Sequence, residues 1–263
     1  MIKRGVFLIL FFITHLSVAV DGQMSLFWEE EESAGGPQAP FMSFEGNTVD
    51  GDDNKGNNPS DGTAVSIWFD QESKQNIEAN VARRALYYGS VFNGHAALRF
   101  TNDAYEAGAI SDLDNVKSYT VMIVCKPTVT ATNYLYSIGT TSCDYTQLCY
   151  FNTSGWTIWG RNNSCANSNT PVPSPVNTEY LITTTWDNDK MDLQAKSLSA
   201  NVSTSELTGR DREAGHSYII LGSFRPSFGH FDGDIGAFYI FTPALSAADE
   251  THWQDYLFEK YIE

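Results

Sequence analysis

The sequence lacks the short motifs on which most enzyme classes depend. It contains no G-x-S-x-G nucleophile elbow, no H-E-x-x-H zinc helix, no glycine-rich phosphate loop and no C-x-x-C pair. The histidines beyond the first 22 residues lack metal-ligand spacing; they are His95, His216, His230 and His252. Beside a predicted strand, the only Asp/Glu pair on alternate residues, as glycoside hydrolysis requires, is Asp232 and Asp234, where Gly233 favours a turn over a cleft strand. We therefore predict a protein that is not an enzyme.

Basic residues are also scarce. Lysine and arginine together number 16 against 32 aspartates and glutamates, which gives a formal net charge of -16 at pH 7. Such a chain repels phosphate backbones and anionic lipid surfaces, so we expect no nucleic-acid partner and no polybasic membrane contact. Many carboxylates suit a calcium-rich extracellular setting.

Long apolar runs are confined to the N-terminus. Lys3 and Arg4 precede an apolar stretch over residues 5–20, and small residues follow, with cleavage predicted after Ala19 or Gly22. This layout predicts a signal peptide over residues 1–22, and an uncleaved signal anchor is the alternative. After cleavage we expect a secreted, extracellular chain without a membrane contact.

Two further regions follow the signal peptide. Residues 23–40 combine an acidic run with Ala-Gly-Gly-Pro, which predicts an acidic flexible linker. Residues 41–263 contain short segments in which apolar and polar residues alternate, separated by turns rich in Gly, Asn and Asp. For example, Met191, Leu193 and Ala195 alternate with polar residues, which predicts one apolar face and one solvent-facing face.

Helical periodicity occurs only at the end of the chain. Ser246 is a good N-cap, and an apolar stripe follows at Trp253, Tyr256, Leu257 and Tyr261, which we interpret as core packing. The pattern predicts an all-β fold, a two-sheet antiparallel jelly-roll sandwich with a C-terminal α-helix.

Four segments, in order, resemble the laminin-G-like and concanavalin A-like jelly-roll family. They are VSIWFD at 65–70, NGHAALRF at 93–100, SYTVMIV at 118–124 and FDGDIGAFYIFTPALS at 231–246, the last followed by the aromatic helix with its Lys-Tyr pair. The resemblance spans residues 40–262. It implies a jelly roll, often with calcium at one rim, whose ligands are glycans or proteins; the fold itself does not fix the function.

The cysteines and sequons fit an exported chain. Four cysteines within a short stretch predict two disulfides, either Cys143–Cys149 with Cys125–Cys165, or a pairing that includes Cys143–Cys165 across a hairpin. In a eukaryotic secretory pathway, three sequons would accept glycans; they are Asn152, Asn162 and Asn201.

An acidic loop offers oxygen ligands in an order typical of calcium loops. Asp50, Asp52 and Asn54 occupy the first, third and fifth positions, and Asp61 the twelfth, although the sixth position is lysine rather than glycine. Two interpretations remain: a bound Ca²⁺ ion, or a solvated loop without metal. A third alternative is calcium beside the closing strand, at Asp232 or Asp234.

Aromatic residues of one hairpin are candidates for sugar binding. Trp156 and Trp159 are three residues apart, so on a strand they face opposite sides and one belongs to the core. Trp159 with Tyr150 and Arg161 could form a platform that stacks on a sugar ring, with sandwich packing as the alternative. The leading expectation is a secreted, lectin-like carbohydrate-binding module. The alternative is a structural or adhesion component of a cell surface, matrix or particle coat that binds extracellular protein.

Overall fold

A computed structural model describes residues 36–51, 56–72, 74–108, 110–114, 116–139, 145–160, 174–188, 190–199, 203–207, 218–225 and 228–263. The predicted signal peptide and most of the predicted linker lie outside these ranges. Pro37–Glu263 forms one compact unit.

Short strands and one terminal helix make up this unit. The strands are β1 (Met42–Glu45), β2 (Ile67–Trp68), β3 (Ile77–Ala79), β4 (Leu86–Phe92), β5 (His95–Asp103), β6 (Tyr105–Ala107), β7 (Ser118–Pro127), β8 (Asn133–Gly139), β9 (Tyr145–Asn152), β10 (Gly155–Gly160), β11 (Tyr180–Asp187), β12 (Lys190–Lys196), β13 (Ser203–Leu207), β14 (Tyr218–Leu221), β15 (Ser223–Arg225) and β16 (Phe228–Phe241). The α-helix is α1 (Ala247–Tyr261), and two 3₁₀ turns span Gly46–Thr48 and Ser111–Leu113.

The strands form two antiparallel sheets in the described part of the chain. Sheet 1 has the order β13-β12-β11-β7-β16-β5-β4, and β1 and β15 also pair with β16. Sheet 2 has the order β10-β9-β8-β14-β6-β3-β2. The predicted all-β sandwich with a C-terminal helix is therefore confirmed.

Strand β7 shows why the middle of sheet 1 is apolar on both faces. Val121 and Ile123 project into the core between the sheets. Met122 and Val124 project to the other face, where they pack in a second apolar cluster with Leu257 of α1. Because side chains alternate along a strand, the middle of β7, covered by sheet 2 on one face and by α1 on the other, is apolar at successive positions.

The β11–β12 hairpin explains how the helix is placed. Met191, Leu193 and Ala195 are buried in the core as predicted. The opposite face is not open to solvent as expected, because it receives α1: Gln194 Nε2 donates to Glu250 at 2.7 Å. The polar face of β12 therefore packs against the polar face of α1.

The helix begins where the sequence predicts. The Asp249 backbone N–H donates to the Ser246 hydroxyl at 3.2 Å, and that hydroxyl donates to the Asp249 carboxylate at 2.7 Å. Leu257 and Tyr261 are fully buried, but Tyr256 is 42% exposed. The predicted core stripe therefore continues onto the surface. The described residues include no helix with the length and apolar character of a membrane span.

The cysteines differ from the predicted pairing. Cys125 on β7 and Cys149 on β9 are free and fully buried. Neither predicted bond that includes them, Cys125–Cys165 or Cys143–Cys149, forms in the structure; both thiols lie in the core between the sheets. Cys143 and Cys165 lie outside the described residues, and so does the alternative bond between them.

Candidate functional site

A cleft of about 410 Å³ lies between α1 and the start of the sandwich. We call it the helix–β1 cleft; its lining residues are Pro40, Ser43, Glu45, Thr48, Gln71, Glu72, Tyr239, Trp253, Tyr256 and Lys260. It combines aromatic rings with carboxylates, an amide, hydroxyls and one ammonium group. This composition is typical of sites for small polar ligands, in which apolar surface gives affinity and a few polar groups give orientation.

Strand pairing brings the floor of the cleft together. β1 pairs with β16 so that Ser43 lies opposite Tyr239 and Phe44 opposite Phe238. Phe44 is buried between the sheets, so Ser43 and Glu45, one position to either side, face outward. The floor is therefore built from alternate residues of a strand pair.

The wall of the cleft is one face of α1. Trp253, Tyr256 and Lys260 are spaced three and four residues apart, which aligns them along the helix. The Trp253 indole N–H donates to the Gln38 carbonyl at 2.9 Å. Its ring meets Tyr256 edge to face, with centroids 5.5 Å apart. The indole is therefore fixed, while Tyr256 keeps exposed ring surface.

Glu45 and Lys260 form the charged centre of the cleft. Lys260 Nζ lies 2.9 and 2.8 Å from the two carboxylate oxygens, and the Tyr239 hydroxyl also donates to Glu45. The side chain of Lys260 is 19% exposed and that of Glu45 is 15% exposed. Burial raises the pKa of Glu45, but the Lys260 charge and these hydrogen bonds outweigh it, so the pKa lies below its usual value. Glu45 is therefore ionised and fully engaged at neutral pH.

Glu72 offers a carboxylate oxygen toward the cleft. The Ser43 hydroxyl donates to its Oε1 at 2.9 Å. Among the described residues, no donor reaches its Oε2. The neighbouring Gln71 side chain donates to the carbonyls of Thr48 and Phe69 at 3.2 and 3.3 Å, which holds its amide in place. These groups can accept hydrogen bonds from hydroxyls of a ligand.

Trp68 and Asp70 of the VSIWFD segment, here called the W-x-D element, support β1 beneath the cleft. The Trp68 indole N–H donates to the Glu45 carbonyl at 2.9 Å. Asp70 Oδ1 accepts from the Ser43 N–H at 2.9 Å, and Asp70 Oδ2 accepts from the Lys74 and Gln75 N–H groups at 2.8 and 3.1 Å. The motif thus ties the loop after β2 to β1.

Two other cavities have different chemistry. One of about 440 Å³ surrounds the Asp70 loop, where the buried carboxylate is already saturated by backbone donors. Another of about 480 Å³, between α1 and the β11–β12 hairpin, has no aromatic ring among its described lining residues. The helix–β1 cleft is the one of these three that joins several aromatic rings to hydrogen-bonding groups.

The predicted stacking platform is described in part. Tyr150 lies on β9, and its ring centroid is 5.6 Å from that of Tyr134. Trp156 is fully buried, so it is the core member of the tryptophan pair. Trp159 pairs through its backbone with Leu148, but its side chain and the whole of Arg161 lie outside the described residues.

The predicted calcium loop is also described in part. Asp50 and Asp61 lie near the Tyr87 hydroxyl, whose pKa is raised by burial first and then by both carboxylates. Asp61 accepts a hydrogen bond from the Gly89 N–H at 2.7 Å. Asp52 and Asn54 lie outside the described residues. Within the described ranges, no three His, Cys, Asp or Glu side chains are grouped to hold a metal.

Asp234, one of the two aspartates of the alternative calcium position, is paired with an arginine. Asp234 is 3% exposed, and its two oxygens lie 2.7 and 3.1 Å from Nε and Nη2 of Arg99. A carboxylate held by a guanidinium on both oxygens does not fit a calcium ligand or a catalytic acid.

One sequon lies within the described part of the chain. Asn152 ends β9 at the hairpin turn, partly exposed, and its Oδ1 accepts from the Ser154 N–H at 2.8 Å. Asn162 and Asn201 lie outside the described residues.

Sequence reasoning did not find the cleft. The signal that could have indicated it was the spacing of Trp253, Tyr256 and Lys260 on one helix face. We interpreted the two aromatic residues as core packing, and we noted Lys260 only as part of the Lys-Tyr pair. Nothing local indicated Glu45 or Glu72.

No protein-family model and no curated protein sequence matches this chain. Among solved structures, it is similar to a GH54 α-L-arabinofuranosidase complexed with arabinofuranosyl-α-1,2-xylobiose, at TM-score 0.56 and 14% identity over 73% of this chain and 50% of the other. It is also similar to the receptor binding domain of botulinum neurotoxin D, at TM-score 0.56 and 10% identity over 83% of this chain and 52% of the other.

The serotype D ligand binding domain in complex with N-acetylneuraminic acid gives a TM-score of 0.55 at 11% identity, over 82% of this chain and 50% of the other. The chain spans about half the length of these proteins. At such identities the likeness shows the fold alone: this chain is a two-sheet antiparallel β-sandwich, a fold compatible with lectin-like jelly rolls.

Proposed function

We propose that this protein is a secreted, non-catalytic carbohydrate-binding module of the laminin-G-like kind, and that its sugar site is the helix–β1 cleft. The observation that carries the proposal is the meeting of Tyr256 and Trp253 with Glu72 and Gln71 in one cleft. Solved proteins of similar fold include one that binds N-acetylneuraminic acid, which supports a carbohydrate ligand.

The contacts expected for a sugar follow from these side chains. The exposed ring surface of Tyr256 packs against the apolar C–H face of a pyranose. Glu72 Oε2 and the Gln71 amide oxygen accept hydrogen bonds from sugar hydroxyls. Because the Trp253 indole N–H is held by Gln38, its ring is fixed before the ligand arrives, which reduces the entropy lost on binding.

The electrostatics of the cleft support binding rather than catalysis. A general acid in glycoside hydrolysis needs a raised pKa so that it carries a proton near neutral pH. Glu45 has the opposite property, since its pKa is lowered and both of its oxygens contact Lys260.

A glycan array with and without a chelator tests the proposal, followed by calorimetry on the sugar that binds. Tyr256→Ala should weaken binding by at least tenfold, because each well-packed aromatic contact contributes about 1–2 kcal/mol. Tyr150→Ala is the matched control, since it removes an aromatic ring from the predicted platform on sheet 2. If Tyr150→Ala abolishes binding and Tyr256→Ala does not, the site is the platform.

The two arms of the array separate the remaining alternatives. Binding that disappears with the chelator supports a calcium ion near the site, as proposed for the loop at Asp50 and Asp61. No binding to any glycan, together with copurification in a protein assembly, overturns the proposal in favour of a structural or adhesion role.

A further inference from the structure

Besides its hydrogen-bonding groups, the cleft carries a net charge. Its ionisable carboxyl and ammonium groups are Glu45, Glu72 and Lys260, which together carry one net negative charge. The whole chain carries a formal net charge of -16, so the surroundings do not oppose this sign. The charge of a ligand must therefore affect its affinity.

Lys260, the one cation among the described lining residues, is already occupied. Lys260 Nζ contacts both oxygens of Glu45 and also lies 3.1 Å from the Tyr256 hydroxyl. An ammonium group has three protons, and these three acceptors can use all of them. Lys260 therefore has no proton left to pair with a carboxylate on a ligand.

Glu72 is the carboxylate of the cleft that can still contact a ligand. Its Oε1 accepts from Ser43 at 2.9 Å, and in the described part of the chain no cation contacts it. A sugar hydroxyl can donate to its Oε2, whereas a sugar carboxylate would place a second negative charge beside it. In a partly desolvated cleft two like charges a few ångströms apart repel strongly.

We infer that the helix–β1 cleft selects neutral sugars and rejects acidic ones such as uronic acids and sialic acids. This inference rests on the proposed function and names its ligand class. It also separates this chain from the similar toxin domain, which was solved with N-acetylneuraminic acid, a sugar that carries a carboxylate.

Matched sugar pairs test the inference. Calorimetry at pH 7 and low salt compares glucose with glucuronic acid, galactose with galacturonic acid, and lactose with sialyllactose. In the pair whose neutral member binds, we expect a preference of at least tenfold for that member, or about 1.4 kcal/mol. The preference should shrink as salt rises, because it is a charge effect.

A charge variant identifies the source of the preference. Glu72→Gln keeps a hydrogen-bond acceptor and removes the charge, so the acidic sugar should gain severalfold relative to the neutral one. Asp112→Asn is the control, since it removes the same charge from an exposed residue that does not line the cleft. Equal affinity for both members of a pair, or no response to Glu72→Gln, overturns the inference and leaves the proposed function standing. Failure to bind any sugar overturns both.

Discussion

Lys260, in the last turn of the C-terminal helix, contacts both carboxylate oxygens of Glu45, which lies 215 residues earlier at the end of β1. The pair joins the two ends of the described domain. It orients the helix face that carries Tyr256 and Trp253, so the shape of the cleft depends on it. Breaking it tests both stability and site geometry.

Lys260→Met should destabilise the protein by about 2 kcal/mol. The substitution leaves the Glu45 carboxylate mostly buried without its cation, which costs more than the attraction of an exposed pair. Chemical denaturation at pH 7 measures the change. Lys196→Met is the control, because Asp255, its partner at 3.1 Å, is 69% exposed, and the expected loss is below about 1 kcal/mol. Equal losses in the two variants would contradict the assigned role of the Glu45–Lys260 pair.

The same pair predicts how stability depends on pH. The folded-state pKa of Glu45 is lowered, so the folded protein binds a proton less readily than the unfolded chain. Its contribution is therefore present above the ordinary value of 4.5 and is lost as pH falls through the lower folded-state pKa. Thermal melts of the protein and of Glu45→Gln should differ at pH 7 and converge well below pH 4.5. A difference that persists unchanged at pH 3 would exclude this carboxylate as the cause.

Cys125 and Cys149 should be unreactive in the native protein. Both thiols are fully buried, and burial raises the pKa of each, so almost no thiolate reaches the solvent. Alkylation followed by peptide mass mapping should label neither residue under native conditions and both after denaturation without reductant. Labelling that requires reductant after denaturation would show that these residues are in disulfides, as the sequence suggested.

Local patterns predicted the fold, and distant contacts determined the site. The Ser246 cap and the alternation at Met191 and Leu193 depend on near neighbours in the chain, so they can be read from the sequence. The polar residues on the outward face of β12 predicted a solvent-exposed face. They instead form hydrogen bonds with a helix that begins more than 50 residues later in the chain, which no local pattern indicates. Glu45 and Lys260 share no motif, so their pairing could only come from the topology.

Asp70→Asn should disrupt the support beneath the cleft. Asp70 accepts from four backbone N–H groups, those of Ser43, Glu72, Lys74 and Gln75, at 2.8–3.1 Å. An asparagine amide has one oxygen, and its NH₂ group must face two of these donors, so two buried hydrogen bonds are lost. We expect a loss of about 2–3 kcal/mol in denaturation experiments. Sugar binding should weaken as well, because Ser43 and Glu72 both contribute to the cleft.

The control for this change is Asp61→Asn. In the described part of the chain, Asp61 accepts one hydrogen bond, from the Gly89 N–H at 2.7 Å, in an exposed setting, so its replacement should cost below about 1 kcal/mol. If Asp70→Asn proves as mild as Asp61→Asn, the W-x-D element does not hold β1 in place. The role of Asp70 would then be to contact a ligand rather than to hold the surrounding backbone.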